Sequence, residues 1–133
     1  MHEPPRILIV DDNEANRDIL DARLKVHGYD LLQAADGEEA LDAARRHLPD
    51  LILLDVMMPG MSGFDVCNIL RDFPETRETP IIFLTAVSET PRKIMGLRLG
   101  ATDYITKPFD LRELTARIEV ALRNHEEAHA PHP

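Results

Sequence analysis

Arg6-Ile7-Leu8-Ile9-Val10-Asp11-Asp12 holds an unbroken apolar run that ends in two carboxylates. A strand with one wet face alternates apolar and polar side chains. An unbroken run marks a strand buried on both faces, as in a parallel sheet covered by helices. The pattern returns in Asp50-Leu51-Ile52-Leu53-Leu54-Asp55 and in Pro80-Ile81-Ile82-Phe83-Leu84. Residues 30–34 and Asp103-Tyr104-Ile105-Thr106 read as two shorter strands. Helical spacing fills the gaps. Ala15, Ile19, Ala22 and Val26 form one stripe that stops at Gly28. Residues 37–47 form a second helix, with Leu41, Ala44 and Leu48 on its stripe. After the loop signals Pro59-Gly60 and Ser62-Gly63, a third helix turns Val66, Leu70 and Phe73 inward. Residues 90–99 make a fourth helix closed by Gly100, and Leu111, Leu114, Ile118 and Ala121 line a long last one.

Five strands alternating with five helices predict an α/β fold, a doubly wound parallel sheet with right-handed crossovers. The flavodoxin-like order 2-1-3-4-5 fits this length best and sets the first and third strands side by side at the switch point. With 133 residues and 15.0 kDa the chain reads as one domain. Residues 6–124 form it, 1–5 a loose N-terminus and 125–133 a flexible tail. A net charge of -9 argues against direct nucleic-acid binding, which needs a basic field. No apolar run reaches the ~18 residues of a membrane span, and Met1 to Pro5 lacks the features of a signal peptide. The single cysteine, Cys67, forms no internal disulfide, and a reducing cytoplasm is the expected location.

In this topology Asp11 and Asp12 at the end of the first strand meet Asp55 at the end of the third. Clustered carboxylates repel and raise one another's pKa until a cation or proton relieves them. Hard oxygen donors without sulfur or imidazole favour Mg2+, which retains coordination positions for a phosphate. The fourth strand ends in Thr85 and the fifth leads to Lys107, adding a hydroxyl and an ammonium at the same rim. Lys107 precedes Pro108, and a cis bond there would aim the lysine inward. These groups together can stabilise a phosphoryl group on an aspartate.

From about Arg6 to Asn124 the chain resembles the receiver domain of two-component response regulators. The segments that carry the resemblance are Ile7 to Asp12, Leu54-Asp55-Val56-Met57-Met58-Pro59-Gly60-Met61-Ser62-Gly63, Leu84-Thr85-Ala86 and Gly100 to Phe109. The resemblance implies that Asp55 accepts a phosphoryl group from a histidine kinase or phosphotransfer protein. It implies Mg2+ held directly by Asp12, largely through water by Asp11, and by Asp55 and the Met57 carbonyl. Lys107 then pairs with the phosphoryl oxygens and Thr85 bonds one of them. Tyr104 is the switch aromatic, and Ala86 leaves the path to Asp55 open and offers its backbone N–H. Such a chain catalyses only its own phosphorylation and dephosphorylation. Lys93, Asp103, Glu113 and Arg117 resemble charges that pair across a dimer of the face made by the fourth helix, fifth strand and fifth helix. Ile94, Met95, Leu97 and Leu99 form an apolar patch there. Asp11 to Arg17 and Asp65-Val66-Cys67 look like receivers attached to diguanylate cyclases or hybrid histidine kinases; a stand-alone receiver and a segment of a longer chain both remain open.

Rival readings are weaker. His125-Glu126-Glu127-Ala128-His129 matches the H-E-x-x-H string of zinc proteases but lies on a final helix without a cleft, with only His132 beyond. A flavin-binding flavodoxin needs a phosphate-cradling loop where Asp11-Asp12-Asn13-Glu14 stands. An aspartyl phosphatase would want an acid where Met57 stands. A receiver-like module that only docks, independent of phosphorylation, is disfavoured because Asp12, Asp55, Thr85 and Lys107 are all present.

Overall fold

A computed structural model describes residues 1–86 and 102–128. Five parallel strands form one sheet: β1 (Arg6–Val10), β2 (Asp30–Ala34), β3 (Leu51–Asp55), β4 (Ile81–Ala86) and β5 (Asp103–Lys107). Their order is β2-β1-β3-β4-β5, as the alternation of elements predicts. Among the described residues there are four helices: α1 (Glu14–Lys25), α2 (Gly37–His47), α3 (Gly63–Leu70) and α4 (Leu111–Ala128). The helix expected over 90–99 lies outside the described residues.

The unbroken apolar runs split residue by residue between two cores, because successive side chains in a strand point to opposite faces. Leu8, Val10, Ile52, Leu54, Ile81 and Phe83 pack beneath α2 and α3. Ile7, Ile9, Leu51, Leu53, Ile82 and Leu84 pack beneath α1 and α4. Side-chain oxygens cap the helix starts. Asn13 accepts from the Asn16 N–H and Asp36 from the Glu39 N–H, and Ser62 with Asp65 closes a capping box on α3.

The stripe expected to bury α1 is turned outward. Ala15, Ile19, Ala22 and Val26 are all exposed, while Leu20 and Leu24 enter the core. One residue is about 100° of helix, so choosing Ile19 instead of Leu20 selects a different face. Leu20 and Leu24, at i and i+4, lie on one face, and that face packs against the sheet in place of the one carrying Ile19. Leu48 is also corrected: it is the left-handed C-cap of α2 (φ 47°) and faces solvent, leaving Ala40 and Ala44 as the buried stripe. Phe73 is only half-buried, with the Arg45 guanidinium 4.1 Å from its ring centre. The N-terminal segment has contacts of its own. The His2 N–H reaches Asp50 Oδ2 at 3.2 Å, and the Arg6 N–H reaches the same oxygen at 2.8 Å.

Candidate functional site

All five strands are parallel, so their carboxyl ends share one edge. The register brings Val10 level with Leu54, Asp55 level with Leu84, and Ala86 level with Lys107. Asp11 therefore emerges beside Asp55 because each directly follows one of the paired apolar residues Val10 and Leu54 of adjacent strands.

Asp11 and Asp55 are buried and Asp12 is exposed, and oxygens of all three carboxylates lie within 4.8 Å of one another. The two buried acids are held in the same way. Oδ1 of each accepts the N–H two residues on, Asn13 to Asp11 at 2.9 Å and Met57 to Asp55 at 3.2 Å. Oδ2 of each faces Lys107 Nζ, at 3.4 Å from Asp11 and 3.7 Å from Asp55. Burial pushes the Asp55 carboxyl up to about 6, and Asp11 and Asp12 push the same way; Lys107 and the Met57 N–H oppose them. Three carboxylates against one ammonium leave two negative charges in a half-enclosed cleft. That donor set, all oxygen and doubly negative, fits a hard divalent cation.

Thr85 is buried at the end of β4, where its hydroxyl donates to the Ala86 carbonyl at 3.2 Å. Ala86 is half-buried, level with Lys107. Tyr104 lies beside Phe83 in the register and packs on the α2/α3 core. The side chain of Met57 is 59% exposed at the rim of the cleft. Lys107–Pro108 is cis.

Gly63 and Arg17 also shape the cleft, in roles that the motifs do not assign to them. Gly63 opens α3 where any Cβ would strike the Asp55 carbonyl oxygen. Ser62-Gly63 reads from sequence as a loop sign, and the Ser62-x-x-Asp65 capping box is the further signal that a helix starts there. Arg17 sends Nη1 to the Asp11 carbonyl at 2.7 Å. Cys67 is buried and its thiol is pushed up by burial, so it is no nucleophile.

Nearly the whole described fold lies within a match to the response regulator receiver domain, which covers residues 7–119. The chain belongs to that family. Response regulator PleD of Caulobacter vibrioides is 50% identical to this receiver domain over 118 residues, 89% of this chain and 26% of PleD. The probable transcriptional regulator ycf27 of Porphyridium aerugineum is 49% identical over 123 residues, 92% of this chain and 50% of that protein. The chain thus spans half or less of these relatives. Among solved structures, a putative response regulator from Chloroflexus aurantiacus has a TM-score of 0.83 and 39% identity, covering 90% of this chain and 98% of that one. The receiver domain of the Pseudomonas aeruginosa sensor histidine kinase PA1611, with magnesium coordinated in its active site cleft, has a TM-score of 0.81 and 33% identity. It covers 90% of this chain and 98% of the other. As a receiver domain the chain belongs to two-component signalling, and its acidic cleft is compatible with magnesium and aspartyl phosphorylation.

Away from the cleft, Arg117 Nη1 grips both oxygens of Asp103 at 2.7 and 2.8 Å, within one chain, and Nη2 reaches Glu113 at 3.2 Å. Lys93 and the patch Ile94, Met95, Leu97 and Leu99 lie outside the described residues, as do His129 and His132. His125 lies on α4, which runs to Ala128. No described helix is long and apolar enough to cross a membrane.

Proposed function

We propose that this receiver domain, residues 6–124, takes a phosphoryl group onto Asp55 from a phosphohistidine of a histidine kinase or phosphotransfer protein in the cytoplasm. The observation that carries the reading is Lys107 Nζ shared between Asp11 and Asp55 beside the open Asp12 carboxylate. An Asp55 oxygen attacks phosphorus in line; the new O–P bond forms as the N–P bond to the donor imidazole breaks. Asp12, Asp11, Asp55 and the Met57 carbonyl would hold Mg2+, which would supply positive charge against the phosphoryl oxygens. Lys107 leaves its carboxylate partners to pair with those oxygens. Thr85 turns its hydroxyl toward them, and Tyr104 fills the space Thr85 leaves. Ala86 keeps the approach open and supplies a backbone N–H. The work is positioning and electrostatics, and the chain turns over no substrate but its own phosphoaspartate. The signal leaves through the face of β5 and α4, which can pair with a second copy once Arg117 releases Asp103. Such exposed pairs contribute little singly.

The test is the mass of the protein after incubation with acetyl phosphate. A gain of one phosphoryl group with Mg2+, and none with chelator, is expected. No mass gain even with Mg2+ overturns the reading in favour of a phosphorylation-independent module, and equal labelling in chelator overturns the Mg2+ requirement.

Two further outcomes follow. In a Mg2+ titration, Asp12→Ala should weaken binding more than Asp11→Ala. Asp12 is free to meet the ion directly, whereas both Asp11 oxygens are already engaged. Equal losses would reject that ranking. The phosphoaspartate should also decay slowly, because Met57 and Val87 offer no group to orient an attacking water. A Met57→Asn, Val87→Glu double variant should lose its phosphoryl group several-fold faster; an unchanged decay rate would show that these two side chains do not set the lifetime.

A further inference from the structure

The Asp12 carboxylate has the most direct view of a cation, and among the described residues nothing hydrogen-bonds its side chain. Its position therefore depends on its backbone. On one side the Asp11 N–H donates to the Ala34 carbonyl at 3.2 Å. On the other, Asn13 donates its N–H to Asp11 Oδ1 and caps α1 through Oδ1. The peptide plane between Asp11 and Asp12 needs one more restraint, and Arg17 supplies it through Nη1 on the Asp11 carbonyl at 2.7 Å. The fork is itself held. Arg17 Nε donates to Gln33 Oε1 at 3.1 Å, and Gln33 Nε2 donates to Asp21 at 3.1 Å and Asp18 at 3.4 Å. Gln33 sits on β2, level with Ile9. The Arg17 backbone N–H bonds the Asn13 carbonyl at 3.1 Å, so this one residue grips the loop on both sides of Asp12.

We propose that Arg17 is a positioning residue for the cation cleft: its guanidinium fixes the Asp11–Asp12 peptide and so presents the Asp12 carboxylate to Mg2+. The inference rests on the Mg2+ reading above. A charge-assisted bond to a carbonyl is about twice as strong as a neutral one. Lysine offers no planar fork to hold Gln33 and the carbonyl together.

The test uses Arg17→Met, which retains much of the aliphatic stem and removes the fork, with Mg2+ alone titrated by calorimetry. Affinity should fall about 10-fold, the scale on which partners behind metal ligands act. Arg17→Lys should recover part of it. In an Asp12→Ala background, Arg17→Met should cost nothing further, which a general structural role would not produce. In metal-free protein, amide exchange at Asp12 and Asn13 should speed up while amides of Leu51–Asp55 stay unchanged. Mg2+ binding by the unaltered chain that Arg17→Met leaves within about twofold overturns this inference alone. No Mg2+ binding by the unaltered chain overturns the cation reading and this inference with it.

Discussion

Asp55→Asn should take up no phosphoryl group from acetyl phosphate or a kinase, and its metal-free form should be harder to unfold than the unaltered chain. The first result follows from removing the nucleophilic oxygen; labelling that survived would move the acceptor elsewhere. The second follows from burial. Asp55 is held at about 6, above its ordinary 3.8, so the folded state binds a proton more tightly than the unfolded chain does. Stability is therefore reduced above about pH 6, where the folded carboxyl is ionised, and the cost fades as pH falls toward 4. At pH 7.5 that cost is at most about 3 kcal/mol. The attraction of Lys107 is already contained in that figure, and a less well fitted amide trims the gain, so Asp55→Asn should stabilise by about 1–3 kcal/mol in chelator. Denaturant unfolding at pH 7.5 and pH 4 checks both sign and window: the gain should shrink with acid. A gain that grew with acid would mean that Asp55 is not the strained group.

Gly63→Ala should be the most damaging single-methyl change near the cleft. The added Cβ meets the Asp55 carbonyl oxygen, with the Asp55 carbonyl carbon and Val56 Cα both at 3.0 Å. All are backbone atoms, so no flexible side chain can swing away. Relief requires α3 to lift from β3, weakening the 3.0 Å bond from the Gly63 N–H to the Val56 carbonyl and loosening Val66, Cys67 and Leu70 in the core. A loss of about 2–4 kcal/mol is expected, or roughly 8–15 °C in melting temperature at this size. Gly60→Ala is the comparison. Gly60 has a φ of +75° but open space around its Cβ position, so only a strain of about 1 kcal/mol arises. Equal melting of the two variants would contradict the collision.

The topology and the heart of the cleft were legible from short stretches. Ile7 to Val10, Leu51 to Leu54 and Ile81 to Leu84 are apolar at every position, and only a strand covered on both faces uses every position. Once those strands are parallel neighbours, Asp11 and Asp55 must share an edge, and Lys107 follows at the end of β5. Strand periodicity is two and burial here is total, so no rotation remains to be chosen.

The helices are different. A helix can bury any of several faces, and α1 carries apolar side chains on more than one. Ile19 and Val26 gave a plausible stripe, yet packing on the sheet selected Leu20 and Leu24. Leu48 continued a helical period that its left-handed backbone had already ended. The grip of Arg17 on the Asp11 carbonyl, the contact of Gly63 with the Asp55 backbone and the raised pKa of Asp55 arise from distances between segments far apart in sequence or folded back by a turn. Thus the sequence alone pointed to strand order and to which carboxylates meet, because alternation and burial leave few arrangements and 2-1-3-4-5 fits this length best. Only the tertiary structure decided which helix faces close the core and how tightly the loop around Asp12 is held, because those depend on which of several nearly equal packings fills the space.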